Sequence, residues 1–137
     1  MRMCFLLTVL VAAPIREPTD PPKPPQAVLH GDWLCTMVNK NPSIERNMIF
    51  RITPTETFFI INGAVSQGDG LTATYKADMT QNPIAIDFFP RSRGGKMPGI
   101  IRIEGDVLIL GLRTAGGDKR PTDFSNADLV AHYKRVR

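Results

Sequence analysis

The amino-acid sequence predicts an all-β fold, an eight-stranded antiparallel meander closed into a barrel. Three observations carry that expectation. Eight short apolar runs follow one another with almost nothing helical between residues 29 and 136. Pairs rich in Gly, Asn and Pro separate them. In "LTATYKADM" (residues 71–79) the apolar residues Leu71, Ala73, Tyr75, Ala77 and Met79 alternate strictly with polar ones, the period-2 mark of a strand with one wet face.

In chain order the expected strands are "DWLCTMV" (32–38), "NMIFRIT" (47–53), "ETFFII" (56–61), the alternating run 71–79, "IAIDFF" (84–89), "GIIRI" (99–103), "VLILGL" (107–112) and "LVAHYKRV" (129–136). The turn formers between them are Asn41-Pro42, Thr53-Pro54-Thr55, Asn62-Gly63, Gly68-Asp69-Gly70, Asn82-Pro83, Gly94-Gly95, Gly105-Asp106 and Gly116-Gly117. Within "IEGDVLIL" (103–110), Gly105 tolerates the positive φ of a two-residue hairpin turn, so the stretch reads as two antiparallel neighbours. A meander of such strands escapes open edges by closing on itself, and a sandwich is the alternative. "FFII" and "VLIL" are apolar on both faces, which requires a cover on the outer wall. The last segment, "FSNADLVAHYKR", has a helical alternative capped by Ser125 or Asn126. Its alternation of Leu129, Ala131 and Tyr133 with Val130, His132 and Lys134 favours a closing strand.

A chain of 137 residues supports one core. Its 17 basic against 13 acidic residues give a formal charge of +4, with the basic residues scattered singly except near the C-terminus (Lys134, Arg135, Arg137), which argues against a nucleic-acid partner. Arg2, the apolar run 3–13 and the small residues that end it read as a signal peptide over residues 1–13, too short to span a bilayer. Residues 14–28 read as a Pro-rich linker and 29–137 as the barrel domain, in a secreted or periplasmic protein with no membrane span after signal removal. Cys4 would leave with the signal. Cys35, alone in a strand, reads as a small buried hydrophobe.

Four stretches together resemble a family of small, uncharacterised exported domains of planctomycete bacteria with lipocalin-like character. "LHGDW" (Leu29 to Trp33) is similar to its Leu-x-Gly-x-Trp start, "YKADMTQNPIAID" (Tyr75 to Asp87) to its middle, and "GIIRIEGDVLIL" (Gly99 to Leu110) to its hairpin, with Ile101 replacing the usual Tyr. "GGDKRPTDFSN" (Gly116 to Asn126) resembles its Arg-Pro-Thr-x-Phe stretch. The resemblance implies a lipocalin-like barrel and export. It implies no reaction, cofactor or catalytic residue.

The candidate site residues fall into three groups. Phe50, Phe58, Tyr75, Ile86 and Phe88 are expected to line the barrel interior, where an eight-stranded barrel either holds one small apolar molecule or fills with side chains. Arg91, Arg93 and Lys96 in "FFPRSRGGKMPG", and Lys119 and Arg120 in "GDKRPTDF", are expected in rim loops. They read either as donors to an anionic group or as solvated turns, with Pro121 fixing φ and Phe124 anchoring the second loop. Gly31-x-Trp33 is similar to the start of lipocalins, and that resemblance implies that Trp33 plugs one barrel end beneath Arg135 or Lys134 through a cation–π contact. His30 and His132 have no metal-ligand spacing, and no nucleophile elbow or phosphate loop is present. Carboxylates such as Asp78 and Asp87 could pair in space as an acid and a base, but carboxylates on strands more often face water or bond turn amides. The function expected is therefore non-catalytic: small-ligand binding, or interaction with an envelope protein by a filled-core module through rim loops or outer strands.

Overall fold

A computed structural model of the chain describes residues 25–42, 47–66, 72–92, 94–113 and 119–137. The expected signal peptide (1–13), most of the expected linker (14–28) and Arg93 lie outside the described residues. The described residues form ten strands: β1 (Gly31–Val38), β2 (Asn41–Pro42), β3 (Met48–Ile52), β4 (Glu56–Ile61), β5 (Ala64–Val65), β6 (Ala73–Asp78), β7 (Ile84–Pro90), β8 (Met97–Glu104), β9 (Val107–Leu112) and β10 (Leu129–Arg135). Eight of them close an antiparallel barrel in the order β1-β3-β4-β6-β7-β8-β9-β10, with β10 returning to β1. The two-residue strands β2 and β5 lie outside that circuit, against β1 and β4.

Turn chemistry sets the registers. Asn62 and Gly63, with φ of 52° and 83°, join β4 to β5, and Gly105 with φ 59° opens the β8–β9 hairpin. One turn differs from expectation. The chain reverses at Asn39-Lys40, both at positive φ, and places Asn41-Pro42 in β2 instead of in the turn. The Asn39 side chain and backbone amide bridge to Val130 on β10, which secures this unusual geometry.

Inward positions follow the pleat. The register pairs Phe50 with Phe59, Tyr75 with Phe88, Ile86 with Gly99, Ile101 with Leu110, and Tyr133 with Leu108 and Cys35, and the side chains of this set form one buried core. Phe50 touches the rings of Phe59, Phe88 and Tyr133 at centroid distances of 5.1, 6.4 and 5.5 Å. These rings come from β3, β4, β7 and β10, so aromatic side chains from both sides of the barrel meet inside it.

One end is plugged. A 3₁₀ turn, Pro25–Leu29, lies across it, with Leu29 fully buried and its carbonyl accepting from the Trp33 indole N–H at 2.9 Å. The Gln26 amide donates to the Tyr75 hydroxyl and to Pro54 O, and the Tyr75 hydroxyl donates to Thr53 O. Residues 25–28, expected in the linker, thus belong to the plug.

Residues 119–128, the described part of the β9–β10 connection, form a strap over the outer wall. Pro121 is fully buried, and Phe124 packs close to Gly111, where a Cβ would sit 3.0 Å from its ring. Asp123 caps a short 3₁₀ turn (Phe124–Asn126) by accepting from Ser125 N and Asn126 N, and the Asn126 side chain reaches back to the Asp123 amide. This strap supplies the cover that the two-sided apolar run of β9 requires, and the segment beyond it is β10, not a helix.

Candidate functional site

Four of the five residues expected in the lumen are there. Phe50, Ile86 and Phe88 are fully buried and Tyr75 nearly so. Phe58 is not. In β4 the inward positions are Thr57 and Phe59, while Phe58 faces outward beneath the Arg51 guanidinium, 5.8 Å from its ring centre. Two adjacent phenylalanines give no alternation, and the pairing of Phe59 with Phe50 decides which turns inward.

Trp33 is fully buried on β1, and the Arg135 guanidinium lies 4.1 Å from its ring centre while donating to Val28 O and His30 O. Arg135 is therefore the lid on the plug. Lys134, the other candidate, sits one position along on β10 with the opposite orientation.

Among the described loop cations, Arg91, Lys96 and Arg120 face carboxylates of the chain itself. Arg91 pairs with Glu56, and Lys96 stands 4.0 Å from Asp87. Arg120 lies on the outer wall instead of at the rim: its Nη1 donates to Ile86 O (2.8 Å) and Gly99 O (2.9 Å), and its Nη2 to Asp87 Oδ1 (2.7 Å). Lys119 is exposed beside it. The anionic group that Arg120 holds is the chain's own Asp87. Asp78 and Asp87 likewise do not share a proton site, because Asp78 bonds Thr80 while Asp87 serves Arg120.

Where Arg120 crosses the wall, an open cleft of about 450 Å³ forms between the β6–β7 turn and the strap. Asp78, Gln81 and Asn82 stand on one side, Arg120 and Thr122 on the other, over a floor of Pro83, Ala85, Ile100 and Pro121. Ile100 and Ala85 are neighbours across β7 and β8 on the outward face. The Asn82–Pro83 peptide in this turn is cis. The Asp78 carboxyl is held below its ordinary value, chiefly by the Thr80 hydroxyl and then the Thr80 amide, with desolvation opposing and the Gln81 side chain and then the Arg120 charge adding smaller pulls. It is ionised at neutral pH. The volume lies within the range of small-molecule sites, and the lining has their usual make-up of an apolar floor with a few convergent polar groups.

Sequence reasoning did not assemble this cleft. Asp78 entered it only as half of a carboxylate pair, Asn82-Pro83 only as a turn, and Arg120 only as a rim cation. Its lining falls within three of the stretches that carried the resemblance, Tyr75–Asp87, Gly99–Leu110 and Gly116–Asn126, which the meander brings side by side. Among the described residues no group of three or more His, Cys, Asp or Glu is placed to hold a metal ion, and no helix is long and apolar enough to cross a membrane. No family model, curated protein or solved structure matches the chain.

Proposed function

We propose that the protein is an exported, non-catalytic binding module whose barrel is a filled scaffold and whose recognition surface lies on the outer wall. The observation that carries this reading is the Phe50–Phe59–Phe88–Tyr133 cluster, which occupies the lumen where an apolar ligand would sit. The plug of Leu29, Trp33 and Arg135 blocks one entrance to the same space. The cleft beside Arg120 lies outside the barrel. Export rests on the basic start, apolar run and small residues of the first 13 positions.

A second reading, docking of an envelope protein, draws on a row of outward apolar side chains. Leu34, Ile49, Ile60 and Val65 are successive register partners across β1, β3, β4 and β5, and Val65 is 49% exposed. Both readings place recognition outside the lumen.

The test is a thermal-shift and Trp33 fluorescence titration of the full chain with fatty acids and isoprenoids. A filled scaffold shows no concentration-dependent rise in Tm and no change in Trp33 emission. A rise that grows with ligand concentration, as binding to the folded state alone demands, would return the site to the lumen.

A further inference from the structure

The groups lining the outer-wall cleft are not neutralised by the protein in the same way, and the difference specifies a ligand. Arg120 has five N–H donors, of which three are engaged by Ile86 O, Gly99 O and Asp87, leaving two without a partner among the described residues. Those three bonds fix the guanidinium in place, so a ligand meets a donor pair already oriented, with little rotamer freedom left to lose. The side chain remains 31% exposed, and it lines the cleft.

Across the cleft, Asp78 Oδ1 accepts from Thr80 N at 3.0 Å and from Thr80 Oγ1 at 2.5 Å. The Gln81 side chain adds a hydrogen bond to the same carboxylate, which leaves about one of its roughly four acceptor sites open. One cation with spare donors and one carboxylate with a spare acceptor therefore face the same space. A simple anion would reach Arg120 only by approaching two carboxylates, Asp78 and Asp87. A simple cation would reach Asp78 against Arg120, with Lys96 close behind at Asp87. A neutral apolar ligand would desolvate both charges and pair neither.

We propose that the cleft binds a zwitterion of the α-amino-acid type, with its carboxylate on Arg120, its ammonium on Asp78 and an apolar side chain on the floor of Pro83, Ala85, Ile100 and Pro121. The Gln81 and Asn82 carboxamides supply further donors and acceptors beside the ammonium, and a cleft of about 450 Å³ accommodates a free amino acid or a dipeptide. This assignment rests on the outer-wall reading and adds the ligand's chemistry to it.

An amide chemical-shift titration of the full chain tests it, using leucine, dileucine, N-acetyl-leucine and leucine amide. Leucine or dileucine shifts resonances around Ala85, Ile100, Arg120 and Thr122, and the tighter of the two names a free amino acid or a peptide as the source. N-acetyl-leucine, which lacks the ammonium, and leucine amide, which lacks the carboxylate, each bind at least tenfold more weakly. Asp78→Asn, at an exposed position, weakens the zwitterion at least tenfold and leaves the rest of the spectrum in place. Equal binding of all four compounds, or an Asp78→Asn variant with unchanged affinity, overturns the assignment. Silence of the cleft towards leucine and dileucine also overturns it while leaving the outer-wall reading standing. Shifts centred on Trp33, Phe50 and Phe88 would contradict that reading itself.

Discussion

Arg120 and Arg135 do the same kind of work at two places: each is a guanidinium that closes open backbone carbonyls and lies against a group which needs it. Arg135→Met keeps the aliphatic stem over Trp33 but removes the cation–π contact and the bonds to Val28 O and His30 O. The expected loss is about 2 kcal/mol in urea unfolding, with Trp33 emission moving to the red as the plug loosens. Arg120→Met leaves Asp87 without its 2.7 Å partner and frees two carbonyls, with an expected loss of about 2–3 kcal/mol by the same measurement. Tyr75 is a buried residue with a polar errand. Burial raises its phenol pKa, against a smaller opposing pull from Gln26, so the hydroxyl stays neutral and donates to Thr53 O. Tyr75→Phe removes that bond and is expected to cost about 1 kcal/mol.

At the scale of elements, strand existence was legible because the pleat leaves a period of two in β6 and β10 and because Asn-Gly and Gly-Asp punctuate the hairpins. Facing was legible only where polar residues mark the wet side. In β4 the apolar run hides its phase, so Phe58 and Phe59 exchange places, and Thr57 turns inward with 1% exposure. The strands β2 and β5 are two residues long, too short to show any period. The plug hides inside a Pro-rich stretch whose composition reads as linker, and only the tertiary bonds of Gln26 reveal it. The cleft was not legible for the same reason, since its lining comes together through the β6–β7–β8 register and a strap that returns from β9. Gly99 shows how tightly these layers are set. A Cβ there would stand 2.7 Å from Leu112 Cδ2 and 3.0 Å from Gly111 O, in the lumen where β8 meets β9. Gly99→Ala is expected to destabilise by about 1–3 kcal/mol, whereas Gly63→Ala, with open space but φ of 83°, meets only backbone strain of about 1 kcal/mol. Thermal melts of the two variants side by side check the difference.

For the molecule as a whole, acid stability follows from four carboxyls held below their ordinary values. Asp32 is lowered chiefly by its hydrogen bond from Arg51, Asp78 by Thr80, Asp106 by Arg137 and Asp123 by Ser125. A depressed carboxyl binds fewer protons folded than unfolded. Its contribution is complete above the unfolded value, 3.8 for Asp, and disappears as pH falls through the lower folded value. Tm is therefore expected to be flat with respect to these groups near neutrality and to fall below about pH 4. Asp32→Asn is expected to lower the neutral-pH stability by no more than about 1 kcal/mol, because the pair is partly exposed and screened, and to flatten part of the acid slope.

A filled scaffold and a hollow ligand binder respond differently to the loss of a central ring. Phe50 is fully buried and touches Phe59, Phe88 and Tyr133, so its truncation leaves a void that the closed barrel relaxes around only in part. The decisive measurement is the urea unfolding free energy of Phe50→Ala beside Phe50→Leu. The filled-scaffold account predicts a loss of about 3–5 kcal/mol for Ala, or a chain that no longer folds, with Leu recovering most of it. A loss below about 1 kcal/mol for Ala would mean that the ring borders empty space, and the lumen would again be the place to look for the ligand.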